Sequence, residues 1–286
     1  MRTLHYRLLN VFAESTFGGN PLCVFEDAQT LTDSEMQAIA LQFNLSETTF
    51  ILPSERATAR IRIFTPTFEM AFAGHPTLGS AHVVRSLVKG DDAGGALTLE
   101  MKAGVIPVSA QQDQWTLTAG SPTSRDVEVG AADLAEMLGL DVGDVLPGAR
   151  WINTGSEQLV IPLASADAVR RAQPRAELFA GMARNIGRAM AYVFAANGDG
   201  KLLSRFFFMK HNSVVEDPGT GSATANLGGW MSFHGRTPCR YAIEQGAAVG
   251  RPCKIALEVT PQGQILVSGR VIEFGCGSVC LADIGD

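Results

Sequence analysis

Three side chains in this 286-residue chain have a type and setting suited to moving a proton: His75, Asp217 and Glu47. His75 and Asp217 each stand directly before a proline, in Gly74-His75-Pro76-Thr77-Leu78-Gly79-Ser80-Ala81 and Glu216-Asp217-Pro218-Gly219-Thr220-Gly221-Ser222-Ala223. Proline is favoured at the first position of a helix, so both stretches predict a turn that opens one. The first N–H groups of such a helix lack intrahelical partners and lie at the positive end of its dipole, where an anion is favoured. A histidine beside that end is biased toward the neutral ring, which can both donate and accept. An aspartate there has a purely structural use as well, as an N-cap. Glu47 falls between a helical pattern ending near Phe43 and the apolar run Phe50 to Leu52. Partial burial there would raise its pKa toward the range useful near neutrality, and a nearby helix N-terminus would lower it. A glutamate in a loop is otherwise a solvated side chain.

Placing one proline stretch over the other, at an offset of 142 residues, aligns Phe64 with Phe206, Pro76 with Pro218, Gly79 with Gly221, Ser80 with Ser222 and Ala81 with Ala223. Each copy reads as strand, turn, helix. The overlay makes His75 and Asp217 an equivalent pair and predicts two similar halves, with helices starting near Pro76 and Pro218. A shared packing scheme would produce the same repeat without chemistry.

The elements around these residues are mostly short apolar, β-branched segments: Leu8 to Phe12, Ala59 to Phe64, Ala96 to Met101, Lys254 to Val259 and Gln264 to Phe274 read as strands. Helical spacing is clearest at Met36, Ile39, Ala40 and Phe43, behind a Thr32/Glu35 capping box. Further helices are predicted over Ala131 to Leu138, Ala166 to Arg171 and Arg175 to Arg188. The class is α+β, without the strand-helix alternation of a doubly wound parallel sheet.

Hydrophobic residues make up 46% of the chain and charged residues 18%, enough apolar material for two packed interiors. A net charge of −6 gives no overall attraction to nucleic acid or an anionic membrane, and neither partner is expected. The polar N-terminus, the lack of a long apolar run and the odd count of five scattered cysteines favour a cytoplasmic protein with reduced thiols. Cys276 and Cys280 are spaced for a metal but lack nearby partners in sequence, so buried structural thiols are expected and no metal. No nucleophile elbow, Walker-type loop, His-Glu-x2-His pair or complete dinucleotide fingerprint occurs.

Phe72 to Ala81 and Glu216 to Ala223 resemble the two signature stretches of the PhzF-like proteins of phenazine biosynthesis, which share the diaminopimelate epimerase fold. Asn10-Val11-Phe12 with Gly19-Asn20-Pro21 is similar to the family's opening, and Asn44-Leu45-Ser46-Glu47-Thr48-Thr49-Phe50 to its catalytic loop. The resemblance implies two pseudo-symmetric domains, each a β-barrel-like sheet around a central helix, over residues 1–118 and 119–274, with 275–286 returning to the first. It also implies a substrate cleft between them and a homodimer. The reaction it implies is isomerisation of a small carboxylate without metal or cofactor, Glu47 shuttling a proton while His75 and Asp217 flank the substrate. Asn20, Ser46, Gly74, Pro76 and Thr77, with Gly219, Thr220, Gly221 and Ser222, form the implied substrate-binding set. One departure lies in that set: Asp217 is followed by Pro218-Gly219, where the characterised isomerase has two alanines. Amino-acid racemisation by two cysteines is the alternative within the fold, and the five cysteines all lie away from His75 and Asp217. A protein that binds a carboxylate without turnover is the alternative outside enzymes, and it would need no proton carrier at Glu47.

Overall fold

The β-branched and aromatic runs become strands, and two stretches rich in small residues become helices packed against them. The computed structural model describes residues 1–88, 96–185 and 187–282. They divide into two units, Met1–Thr118 with Ser268–Asp286, and Ala119–Val267.

The first unit contains β1 (Arg2–Val11), β2 (Asn20–Phe25), α1 (Asp33–Phe43), β3 (Thr48–Leu52), β4 (Ala59–Phe64), β5 (Glu69–Met70), α2 (Gly74–Leu87), β6 (Ala96–Met101), β7 (Gly104–Gln111) and β8 (Gln114–Thr118). The second contains β9 (Thr123–Asp126), α3 (Ala131–Leu138), β10 (Arg150–Asn153), β11 (Glu157–Pro162), α4 (Ala166–Arg171), α5 (Ala176–Met182), β12 (Met190–Ala196), β13 (Lys201–Lys210), β14 (Ser213–Asp217), α6 (Gly221–Phe233), β15 (Cys239–Gln245) and β16 (Cys253–Val259). The last strand, β17 (Ile265–Leu281), begins in the second unit and belongs to the first from Ser268 onward.

In the first unit, β1–β2 is antiparallel, β2–β3 parallel, β3–β4 antiparallel, β4–β6 parallel, and β6–β7 and β7–β8 antiparallel. Pairing of β17 with both β8 and β1 closes this ring into a barrel. Helix α2 runs against β1, β2, β3, β4, β6 and β8 and is buried continuously from Gly74 to Ala81. A helix apolar all round is what such a position demands. Its approach to the wall depends on Gly79, where a Cβ would lie 2.4 Å from Leu22 Cδ2 and 3.1 Å from Val11 Cγ2. On the outside, α1 lays Met36, Ile39 and Ala40 over Cys23, Phe25, Phe50 and Phe64, burial that contributes about 1.5–3 kcal/mol for each large side chain. Its capping box is present, with Thr32 and Glu35 exchanging hydrogen bonds.

The second unit repeats the scheme: β10–β11 antiparallel, β11–β12 parallel, β12–β13 antiparallel, β13–β15 parallel and β15–β16 antiparallel. Each unit carries a short spur strand, β5 on β4 and β14 on β13. The ladders give the repeat a register that the proline overlay does not. Ile63 faces Met70 as Phe206 faces Asp217, and Phe64 faces Glu69 as Phe207 faces Glu216. Arg62 holds Glu69 as Arg205 holds Glu216. In this register Asp217 corresponds to Met70, so the expected equivalence of His75 and Asp217 is incorrect. The prolines also differ: Pro76 is the third residue of α2, whereas Pro218 lies in a loop before α6.

Two other expectations are corrected. The predicted helix from Arg175 to Arg188 stops at Met182, because Asn185 and Gly187, the latter at φ 98°, form a turn that feeds β12. Cys276 and Cys280 are exposed rather than buried; four apart on β17, they share one strand face, and that face points outward. Among the described residues no helix is long and apolar enough to cross a membrane.

Replacing Gly79 by Ala is expected to cost about 1–3 kcal/mol through overpacking. Gly181→Ala, in α5 with nothing within 4 Å of the added carbon, should be neutral or stabilising by up to about 1 kcal/mol. Urea denaturation of the two variants checks the contrast.

Candidate active site

Glu47 sits where α1 ends and β3 begins. Asn44 terminates the helix in the left-handed region at φ 51°, and Thr48 is held between β2 and β4, so Glu47 is anchored from both sides. Its side chain is 15% exposed, and its Oε2 lies 3.3 Å from Nε2 of His75. His75 is the second residue of α2 and is 5% exposed. Its Nδ1 lies 3.3 Å from the amide nitrogen of Asn20, a fully buried residue at the start of β2. The structure thus brings together Asn20, Glu47 and His75.

Burial pushes the His75 pKa down to about 3, against the opposing pull of a ring N–H donated to the Pro21 carbonyl. Desolvation penalises the charged ring, and no fixed anion compensates fully. Nδ1 faces the Asn20 amide nitrogen, which can only donate, and Nε2 faces Oε2 of Glu47; the neutral ring carries a single proton on one of these two nitrogens. The 3.3 Å approach has the length of an ion pair, but the neutral ring makes it none.

In the second unit Asp217, 8% exposed, ends β14. It does not cap α6: the N-cap is Thr220, whose hydroxyl donates to Asp217 Oδ2. Gln245, at the end of β15, donates from Nε2 to the Asp217 carbonyl at 2.9 Å and to Thr220 Oγ1 at 3.0 Å, while its Oε1 accepts from the Thr220 N–H at 3.3 Å. Ser222 is tied to Gln158 Nε2 at 3.1 Å, and Gln158 Oε1 accepts from Asn226 at 2.8 Å. Gln158 and Gln245 were absent from the sequence-derived set. Their signal lies in the ladders, which align Gln245 with Met101 and so show a polar residue where the other repeat is apolar.

The remaining candidates have mixed settings. Gly74, Pro76 and Thr77 form the first turn of α2 and are buried, but the Thr77 hydroxyl donates within the helix to the Ala73 carbonyl at 2.7 Å. Gly219 and Gly221 are buried, and Ser46 is half-buried beside Glu47. Neither α2 nor α6 has a side-chain cap on its first N–H groups. Cys23, on β2, is buried and its pKa is pushed up by desolvation, the opposite of an activated nucleophile. Among the described residues, no three His, Cys, Asp or Glu side chains converge as metal ligands.

Residues 9–274 match the model of a family described as phenazine biosynthesis-like proteins. The chain belongs to that family. It is 41% identical over 279 residues to an uncharacterized isomerase of Pasteurella multocida, covering 96% of this chain and 93% of that one. It is 32% identical over 293 residues to trans-2,3-dihydro-3-hydroxyanthranilate isomerase of Pseudomonas chlororaphis, covering 97% and 99%. Among solved structures, the phenazine biosynthesis protein of Bacillus anthracis superimposes with a TM-score of 0.86 at 25% identity, over 98% of this chain and 100% of that one. This member of the phenazine biosynthesis-like family is an isomerase with an α+β fold.

Because the folded pKa of His75 lies below its unfolded value near 6.5, the unfolded chain binds a proton first as pH falls. The stability that His75 contributes is therefore present above pH 6.5 and lost between about 6.5 and 3. Between pH 7 and pH 5 the loss amounts to about 2 kcal/mol, a part of the pH dependence that His75→Asn should remove. Urea denaturation of both proteins at the two pH values measures it.

Proposed function

We propose that this protein moves a proton within a small, unsaturated carboxylate, with Glu47 as the proton carrier and without a cofactor. The observation that carries the reading is the 3.3 Å approach of Glu47 to a neutral, buried His75. A histidinium would hold Glu47 in a salt bridge as a permanent carboxylate. A neutral ring leaves the carboxylate able to take a proton from an activated carbon of the ligand and return it at another, conjugated carbon, so that substrate and product have the same composition. His75, held neutral by burial, faces Glu47 through Nε2 and orients the proton on Glu47 or on the ligand.

The uncapped first turn of α2 offers the backbone N–H groups of Gly74 and His75 to a carboxylate, since Pro76 has none and that of Thr77 donates to the Ala73 carbonyl; each such helix end favours an anion by about 0.3–1 kcal/mol. In the second unit the same reading assigns ligand positioning to Asp217 and to the turn Gly219 to Ser222. The family relationship supports trans-2,3-dihydro-3-hydroxyanthranilate as the first compound to test. A positioned acid-base group contributes about 10² to 10⁴ in rate. Glu47→Gln should therefore lower turnover by at least about 10²-fold while thermal stability stays nearly unchanged, and Asp217→Asn should lower kcat by a smaller factor. Turnover in deuterated water, followed by mass spectrometry, checks both; a Glu47→Gln protein that still incorporates solvent deuterium at the wild-type rate would refute the role given to Glu47.

A further inference from the structure

We propose that Gln245 is a positioning residue for Asp217: it fixes the rotation of the Thr220 hydroxyl so that the hydroxyl proton is delivered to the Asp217 carboxylate. This extends the reading of Asp217 as a site residue and depends on it. A hydroxyl has one proton to give and lone pairs to accept with. Gln245 Nε2 donates into Thr220 Oγ1 at 3.0 Å, which commits that side of the oxygen to accepting and turns the proton away, toward Asp217 Oδ2 within bonding distance. The orientation of the Gln245 amide is itself fixed by two backbone groups, since its NH₂ faces the Asp217 carbonyl and its oxygen faces the Thr220 N–H. Reversing the amide would set acceptor against acceptor and donor against donor. Gln245 is 1% exposed, so water does not compete for these bonds. The strand end is held against the loop by Gly246, at φ 80°, where a Cβ would lie 2.3 Å from the Pro218 carbonyl oxygen.

The first unit shows that the fold does not need this network. The ladders align Asp217 with Met70 and Gln245 with Met101, and the helix N-cap Thr220 with the N-cap Ala73. Three apolar residues in one repeat stand where three mutually bonded polar residues stand in the other. Buried polar groups are tolerated only when satisfied together, and the trio differs as a set. Its purpose is therefore the carboxylate at its end.

Two measurements test the role. In the free protein, the three-bond coupling between the Thr220 hydroxyl proton and Hβ reports the rotation of the hydroxyl: the wild type should show a single hydroxyl rotamer, and Gln245→Met, which copies the first repeat, should show averaging. With trans-2,3-dihydro-3-hydroxyanthranilate as substrate, Gln245→Met should lower kcat roughly 10- to 100-fold, the range for hydrogen bonds to a charged group, with KM changed less than about threefold. Adding it to Thr220→Val should lower kcat no further. Gln245→Glu keeps the size and the acceptor for the Thr220 N–H but loses both donors, so it should show the same kcat loss even if the methionine variant fails to fold. A single Thr220 hydroxyl rotamer in Gln245→Met, or full activity in Gln245→Glu, would overturn the proposal. If the wild type leaves that compound unchanged, the functional reading falls, and the coupling measurement still decides the role of Gln245.

Discussion

The exclusion of water from His75 is the constraint on which the candidate site rests. A helix buried inside a closed ring of strands must be nearly all apolar or small, and a histidine in its first turn is then forced to be neutral. From that neutrality follows the state of its neighbour: Glu47 faces a neutral ring rather than a cation, and no permanent ion pair with His75 fixes its carboxylate. The wall of the barrel contributes directly, because Asn20 and Pro21 open β2 and place polar groups against the ring. Packing and chemistry are here one problem. Enlarging Gly79 or loosening the wall would admit water and return the ring to ordinary titration.

The repeat shows how two copies of one scheme have been put to different uses. Strand order, the parallel pairs, the spur strand and even the Arg–Glu pair beside it recur. Around that shared frame the polar residues differ. The first unit carries Glu47 and His75, with Met70, Ala73 and Met101 at the positions where the second carries Asp217, Thr220 and Gln245. Since the first unit forms the same ladders around an apolar trio, the polar trio is a cost that the fold itself does not ask for. A cost of this kind is found where function requires it.

Much of this was legible in the sequence, for reasons that differ by element. The strands Ala59–Phe64 and Ala96–Met101 emerge with the predicted bounds because β-branched runs between turns leave little alternative. The α1 capping box was readable because both of its hydrogen bonds are local. The overlay at 142 residues found the repeat but set its register by two prolines, and prolines mark turns rather than equivalent positions. Register is set by ladder hydrogen bonds between residues far apart in sequence, which no local pattern reveals. The same limit hid Gln245: its partners Asp217 and Thr220 lie 28 and 25 residues away. The exposure of Cys276 and Cys280 was missed because a strand's inward face is decided by its neighbours.

The most direct test of the neutral histidine is the pair of ¹⁵N chemical shifts of the His75 ring, followed in the labelled free protein from roughly pH 5 to pH 8, a range that spans the ordinary histidine pKa. A buried neutral ring predicts one protonated and one bare nitrogen, with shifts that stay apart and constant across the range. Two signals that converge as the pH falls through about 6.5 would mean that His75 becomes charged beside Glu47, and would contradict the proposed mechanism at its root.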